Sequence, residues 1–201
     1  QLKTIALVIV ITFFSCSKKK IDADILIQNG IVYNGIDTIS SKVSIAVKND
    51  KIVFVGNDKL VSVKAKKTID ASKMIVSPGF IDPHTHADRE LILADKSHNK
   101  PFLFQGITTV VVGNDGDSYY PSSKFIDTYA KNGIGTNVVL LVGHGTIRKQ
   151  VLGKSNKKAT PKDILKMQAL IQQEMNTGAF GISTGLFYAP GSYSNTDEVI
   201  A

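Results

Sequence analysis

The sequence predicts an α/β chain in which a small β domain precedes about the first four strand–helix units of a parallel (β/α)8 barrel. Three observations predict it. Residues 24–76 read as a run of short strands separated by turn dipeptides. From residue 77 the pattern changes, and strand-like cores recur at 79–82, 106–112, 136–142 and 179–183. Their starts lie 27, 30 and 43 residues apart, close to the roughly 30 residues per unit of a 250-residue barrel. Helical patterns fit between these cores, and the continuous apolar runs 110–112 and 138–142 suit strands covered on both faces.

Taken in order, Leu2, Lys3 and Thr4 lead into an apolar run over 5–14 interrupted only by Thr12. At about ten residues it has the size of a secretory signal, whereas a membrane span needs roughly 20. Phe13-Phe14-Ser15-Cys16 resembles a bacterial lipobox. Residues 1–16 are therefore expected to be a lipoprotein signal in which Cys16 takes the lipid. The expected location is the bacterial cell envelope, periplasmic or outer-membrane-anchored, with 17–23 as a polar tether. Within 24–76, Asn29-Gly30 and Asn34-Gly35 are hairpin dipeptides, and Val43, Ile45 and Val47 alternate as a half-buried strand does. Asn49-Asp50 turns into the apolar run 52–55, closed by Gly56, and 68–71 lead into Met74, Ile75 and Val76. In the barrel half, helices are expected around 122–132 and over 161–176. The second has Thr160 as N-cap, Pro161 at its first position and Gly178 past its end. Ile164, Met167, Leu170 and Ile171 recur at helical spacing and read as core. Residues 195–201 read as a helix start. The barrel reading of 77–201 therefore expects a protein roughly twice as long or more, with this half inactive alone.

Composition narrows the function. A chain of 201 residues with 43% hydrophobic and 20% charged residues is an ordinary folded one, and a single Cys excludes an internal disulfide framework or a Cys-rich zinc module. The formal charge of +7 is scattered over short Lys tracts, and there is no Trp for base stacking, so no nucleic-acid partner is expected. Chemistry concentrates at strand ends. His84 and His86 follow directly on the strand at 79–82, and residues i and i+2 of an extended segment project to one face. Two imidazoles side by side there form a ready pair of nitrogen ligands for a divalent metal, with Asp82 able to hold an imidazole and Asp88 nearby. His98, Asp95 and Lys96 lie in no motif and read as loop and solvated charge.

Residues 79–88 (GFIDPHTHAD) resemble the first-strand signature of the amidohydrolase superfamily, metal-dependent hydrolases on a (β/α)8 barrel with a small β-sandwich. Residues 106–116 (GITTVVVGNDG), 142–148 (VGHGTIR) and 178–191 (GAFGISTGLFYAPG) narrow the resemblance to the N-acyl-D-amino-acid deacylase (D-aminoacylase) branch. What the resemblance implies is one or two divalent ions, zinc above all, and hydrolysis of an N-acyl-D-amino acid to a carboxylate and a free D-amino acid. His84 and His86 match the metal-binding pair. Asp115 stands where such enzymes typically have a metal-binding Cys; a carboxylate there makes a harder site, although Asn114, Asp115 and Gly116 also suit a plain turn. Tyr188 matches a contact to the substrate carboxylate. At the end of the third strand, His144 is a candidate for substrate binding or for bracing the loop, and Arg148 for pairing with a substrate carboxylate or for a surface ion pair. The sandwich would be built partly from 24–76, and the remaining ligands and the general-base Asp are expected beyond Ala201. Two alternatives stay open. One is a dihydroorotase- or hydantoinase-like cyclic amidase, which the absence of Lys from 183–188 argues against. The other is a non-catalytic lipoprotein on the same scaffold.

Overall fold

A computed structural model describes residues 18–201, so the expected signal and Cys16 lie outside the described residues. The chain divides into two compact units between Pro78 and Gly79. No described helix is long and apolar enough to cross a membrane.

The first unit contains β1 (Lys19–Gln28), β2 (Ile31–Val32), β3 (Ser44–Lys48), β4 (Lys51–Gly56), β5 (Val61–Asp70) and β6 (Ile75–Val76). Four of these make one sheet in the order β4-β3-β1-β5, and β2 pairs with β6 in parallel. Ala23, Leu26 and Ala46 are its buried centre, with Phe54, Val63 and Ala65 packed on them. The polar tether expected over 17–23 is corrected from Lys19 onward. That stretch is the first half of β1, paired in parallel with β5 from Lys19↔Val61 through Ala23↔Ala65. Lys19 and Lys20 are both exposed although they point to opposite faces, so the alternation becomes visible only from Ile21, half-buried, through exposed Asp22 to buried Ala23. The dipeptide Asn29-Gly30 does turn the chain, with Asn29 at φ 65°, but β2 is not folded back onto β1. A Cβ on Gly30 would stand 2.6 Å from Val76 Cγ2, so the turn serves the close approach of β2 to β6. The hairpin at Asn49 forms as expected, joining β3 and β4.

The second unit contains β7 (Phe80–Asp82), α1 (Asp88–Leu91), α2 (Lys100–Leu103), β8 (Ile107–Val112), α3 (Ser122–Asn132), β9 (Asn137–Gly143), α4 (His144–Leu152), α5 (Pro161–Thr177), β10 (Gly181–Ser183) and α6 (Thr196–Ile200). Its four strands form a parallel sheet in sequence order, β7-β8-β9-β10, so all four C-terminal ends open on one edge. Val110 and Val112 are buried with Ala87, Leu91 and Tyr129, while Val142, Ile147, Met167 and Ala179 form a second cluster. The apolar stripe expected on the long helix is core: Ile164, Leu170 and Ile171 pack against Met167 and its neighbours. The α5 start is a full capping box. Thr160 Oγ1 accepts from Asp163 N at 3.2 Å, and the Asp163 carboxylate accepts from Thr160 N at 3.1 Å. Helix α4 has no such signal. Gly143 stands at its N-cap and Gly145 in its first turn, so neither a capping side chain nor propensity announces it.

Candidate metal centre

The site grows from the end of β7. Thr85 is buried, and both its backbone N–H and its hydroxyl donate to Val111 O, at 3.0 and 2.9 Å. With Thr85 fixed inward on β8, its neighbours His84 and His86 are turned outward together. Asp82 holds this segment differently from expectation: Oδ1 accepts the backbone N–H of His84 at 3.1 Å, not an imidazole N–H.

The loop after β8 brings Asp115 to the same place. Buried Asn114 donates through Nδ2 to Thr85 O and Val111 O at 3.1 and 3.0 Å, stapling the two strand ends together. Asp117 N donates to Asn114 O at 3.0 Å, so the turn reading of 114–116 holds as well. Asp115 sits in the left-handed region at φ 58°, a conformation that Asp tolerates better than most residues and that aims its side chain at the imidazoles. Two glycines let the loop close down: a Cβ on Gly113 would meet Leu141 O at 2.2 Å, and one on Gly185 would meet Asp115 O at 2.0 Å.

Asp115 Oδ2 stands 3.2 Å from His86 Nε2 and 3.4 Å from His84 Nε2. The two rings are nearly perpendicular, with centroids 5.9 Å apart. Ligands about 2.1 Å from a tetrahedral ion lie about 3.4 Å from one another, so these separations fit the edges of a zinc-type polyhedron. Among the described residues this is the one cluster of three His, Cys or acidic side chains whose donor atoms all lie within 4.8 Å of one another. The donors are accessible, with 61% of the His84 and 48% of the His86 side chain exposed. An N,N,O set suits zinc and is harder than one containing thiolate.

A cleft of about 510 Å³ adjoins the cluster, with His86, Asp115 and Tyr188 in its wall. Tyr188 is 56% exposed, its ring edge-on to Phe187, so the residue expected to meet a substrate carboxylate does stand at the mouth. Stacked Tyr119 and Phe125, with centroids 4.1 Å apart, make another part of the wall. Burial pushes the nearby Asp88 carboxyl up, and its Oδ1 has no hydrogen-bond partner.

His144 and Arg148 do not face this cleft. The side chain of His144 is 8% exposed and that of Arg148 is fully buried. His144 Nε2 lies 3.0 Å from Glu198 Oε1, and its Nδ1 lies 3.3 Å from Thr184 Oγ1. Arg148 Nε stands 3.4 Å from the same Glu198 oxygen, and Nη2 donates to Lys157 O at 2.6 Å. The expectation that Arg148 binds substrate is thereby corrected: its guanidinium is buried beside Glu198 and the Lys157 carbonyl, away from the cleft, with Nε and Nη1 making no hydrogen bond. The physical reason is α4 itself. On a helix starting at 144, positions 144 and 148 share one face, which meets Glu198, while Gly145, Thr146, Lys149 and Gln150 line the cleft. Glu198, the acid that holds the network together, reads in sequence only as a helix-start residue. His98 is an exposed loop residue, and Lys96 pairs with Glu90 at 3.6 Å on the surface.

A family model described as "Amidohydrolase family" matches residues 67–198. The D-aminoacylase of Alcaligenes xylosoxydans xylosoxydans is 32% identical over 200 residues, covering 88% of this chain and 40% of that protein. The N-acyl-D-aspartate deacylase of the same organism is 33% identical, covering 89% of this chain and 40% of its own length. The crystal structure of N-acyl-D-glutamate deacylase from Bordetella bronchiseptica, complexed with zinc and a phosphonate mimic of the tetrahedral intermediate, superposes with a TM-score of 0.80. It is 28% identical and covers 89% of this chain and 41% of that one. The chain thus spans about 40% of the length of the curated relatives it matches.

Proposed function

Because the chain belongs to the amidohydrolase family, we propose that the protein is a metal-dependent deacylase that hydrolyses the amide bond of N-acyl-D-amino acids. The observation that carries this reading is the convergence of His84 Nε2 and His86 Nε2 on Asp115 Oδ2 at the open end of a parallel sheet. His84, His86 and Asp115 would hold the ion, zinc being the ion their donor set suits. A divalent ion bound there supplies an acidified water and polarises the scissile carbonyl. The protein's own part is placement. Thr85 and Asn114 fix the ligand-bearing segments against Val111, and Tyr188 orients the substrate through its α-carboxylate. The α/β fold, with four parallel strands in order, supports a reading of 77–201 as the first half of a (β/α)8 barrel, and the sheet within 24–76 as part of the accompanying β-sandwich. The lipobox-like Cys16 supports attachment to the cell envelope, which a Cys16→Ser variant tests by its distribution between membrane and soluble fractions.

The functional test is turnover of N-acetyl-D-methionine and of its L-enantiomer by the full-length protein loaded with zinc. The expected result is hydrolysis of the D-form, lost by at least about a hundredfold in His84→Ala and His86→Ala together with bound zinc. Zinc bound through these residues without hydrolysis of any N-acyl-D-amino acid would favour a binding protein on this scaffold. Unchanged zinc content in both variants would remove the site.

A further inference from the structure

Behind the wall of the cleft lies a second, much smaller cavity of about 20 Å³, with Tyr119 and Phe125 lining both spaces. Strands β8 and β9 give it apolar side chains. The helices give it polar ones, Asp88 from α1, Ser122 and Tyr129 from α3, and Glu174 from α5. The Glu174 carboxylate accepts the Ser122 backbone N–H at 2.8 Å. Three other oxygens have no such partner. Asp88 Oδ1, Ser122 Oγ and Tyr129 OH are all buried, and none makes a hydrogen bond to any described residue. Ser122 is 6% and Tyr129 4% exposed, so bulk solvent does not serve them. Burial, and then the nearby charge of Asp88, push the Tyr129 phenol up, which sets the two side chains close together. Buried oxygens of this kind nearly always find a partner, either protein or ordered water. A polar space that offers a water-sized sphere more than about 10–15 Å³ holds one molecule when about two to four polar groups face it. This cavity meets both conditions and has no room for anything larger.

We propose that this cavity binds one ordered water that bridges Asp88 Oδ1, Tyr129 OH and Ser122 Oγ, and that the bridge ties the start of α1 to α3. Helix α1 has four residues and no side-chain cap. Its far end is already joined to α3, where Asn132 Nδ2 donates to Ile92 O at 3.1 Å. The water supplies the matching tie at the end next to His86. It donates one hydrogen to Asp88 Oδ1 and accepts from the Tyr129 hydroxyl, and the Ser122 hydroxyl can serve as donor or acceptor. The site stands whatever reaction the metal centre performs.

The test is a high-resolution crystal structure of the full-length protein, together with urea unfolding of Tyr129→Phe and Ser122→Ala. The expected density is a single peak about 2.6–3.2 Å from both Asp88 Oδ1 and Tyr129 OH. Each variant takes a partner from the water and is expected to lower the urea midpoint by about 0.2–0.5 M. In a dry cavity the same substitutions would remove an unmatched buried hydroxyl, and the midpoint would rise. The proposal is overturned by a wild-type structure with no peak there, or by one in which Tyr129 OH bonds directly to the Asp88 carboxylate. A midpoint that stays or rises in Tyr129→Phe overturns it as well.

Discussion

Arg148 keeps a permanent positive charge with no side-chain exposure, so the protein depends on Glu198 and the Lys157 carbonyl to compensate it. Removing one partner of a buried pair strands the other, at about 3–5 kcal/mol. Glu198→Ala, which leaves the guanidinium alone, is expected to lose that much stability in urea unfolding, and Arg148→Ala less, since Glu198 keeps His144 Nε2 at 3.0 Å and the Ser194 hydroxyl at 2.9 Å. The paired change Arg148→Met with Glu198→Leu should lose less than Glu198→Ala, because no lone charge is left behind. A loss below about 1 kcal/mol for Glu198→Ala would show that the pair behaves as a surface one. At this scale the sequence was informative where chemistry is local. His84 and His86 are two positions apart on an extended segment, so their pairing could be read directly, whereas Asp115, in a turn after the next strand, joined them only through the family resemblance. His144 and Arg148 were placed at the strand end correctly but aimed wrongly. A position in the chain fixes which edge of the sheet a residue sits on, while helix phase decides which way it points. Glu198 escaped notice because its partners are 50 and 54 positions away, and no local pattern ties a carboxylate to a distant imidazole.

Elements announced by their ends were legible, and those announced by their partners were not. Helix α5 carries Thr160, Pro161, Asp163 and Gly178 at the positions helix termini favour, and its start appears where those residues put it. Helix α4 and the first half of β1 carry no such marks. One starts on glycine, and the other is a lysine-rich stretch held by a parallel strand some forty residues later. The capping box makes a prediction of its own. Hydrogen bonds from the Thr160 hydroxyl and backbone N–H hold the Asp163 carboxyl below the usual carboxylate range. A depressed folded-state pKa gives stability that is fully present above the unfolded value, near about 3.9, and is lost as pH falls through the folded one. Asp163→Asn should therefore flatten the stability profile below about pH 4 and leave its slope above about pH 5 as it was. Chemical unfolding from pH 6 down to 2 measures this. Parallel wild-type and variant profiles throughout would contradict the assignment.

For the molecule as a whole, the order of the parallel sheet follows from regular strand spacing, and that much was visible in the apolar runs. The mixed sheet and the two-stranded sheet of the first unit were not, because pairing β1 with β5 in the one and β2 with β6 in the other depends on register across intervening loops. Among the described residues β7 and β10 each pair on one side only, and an unpaired strand edge is a template for another chain. A protein ending at Ala201 is thus expected to associate as its concentration rises, and sedimentation as a single monomeric species across a hundredfold range would refute that. The buried cluster around Arg148 bears also on how the chain is made. Translation proceeds at roughly 5–20 residues per second, so the guanidinium exists for roughly 3–10 s before its carboxylate partner, 50 positions on, has been synthesised. Docking α4 earlier than that would enclose a lone charge, so the cost of burying it is expected to delay this helix until the segment bearing Glu198 has emerged.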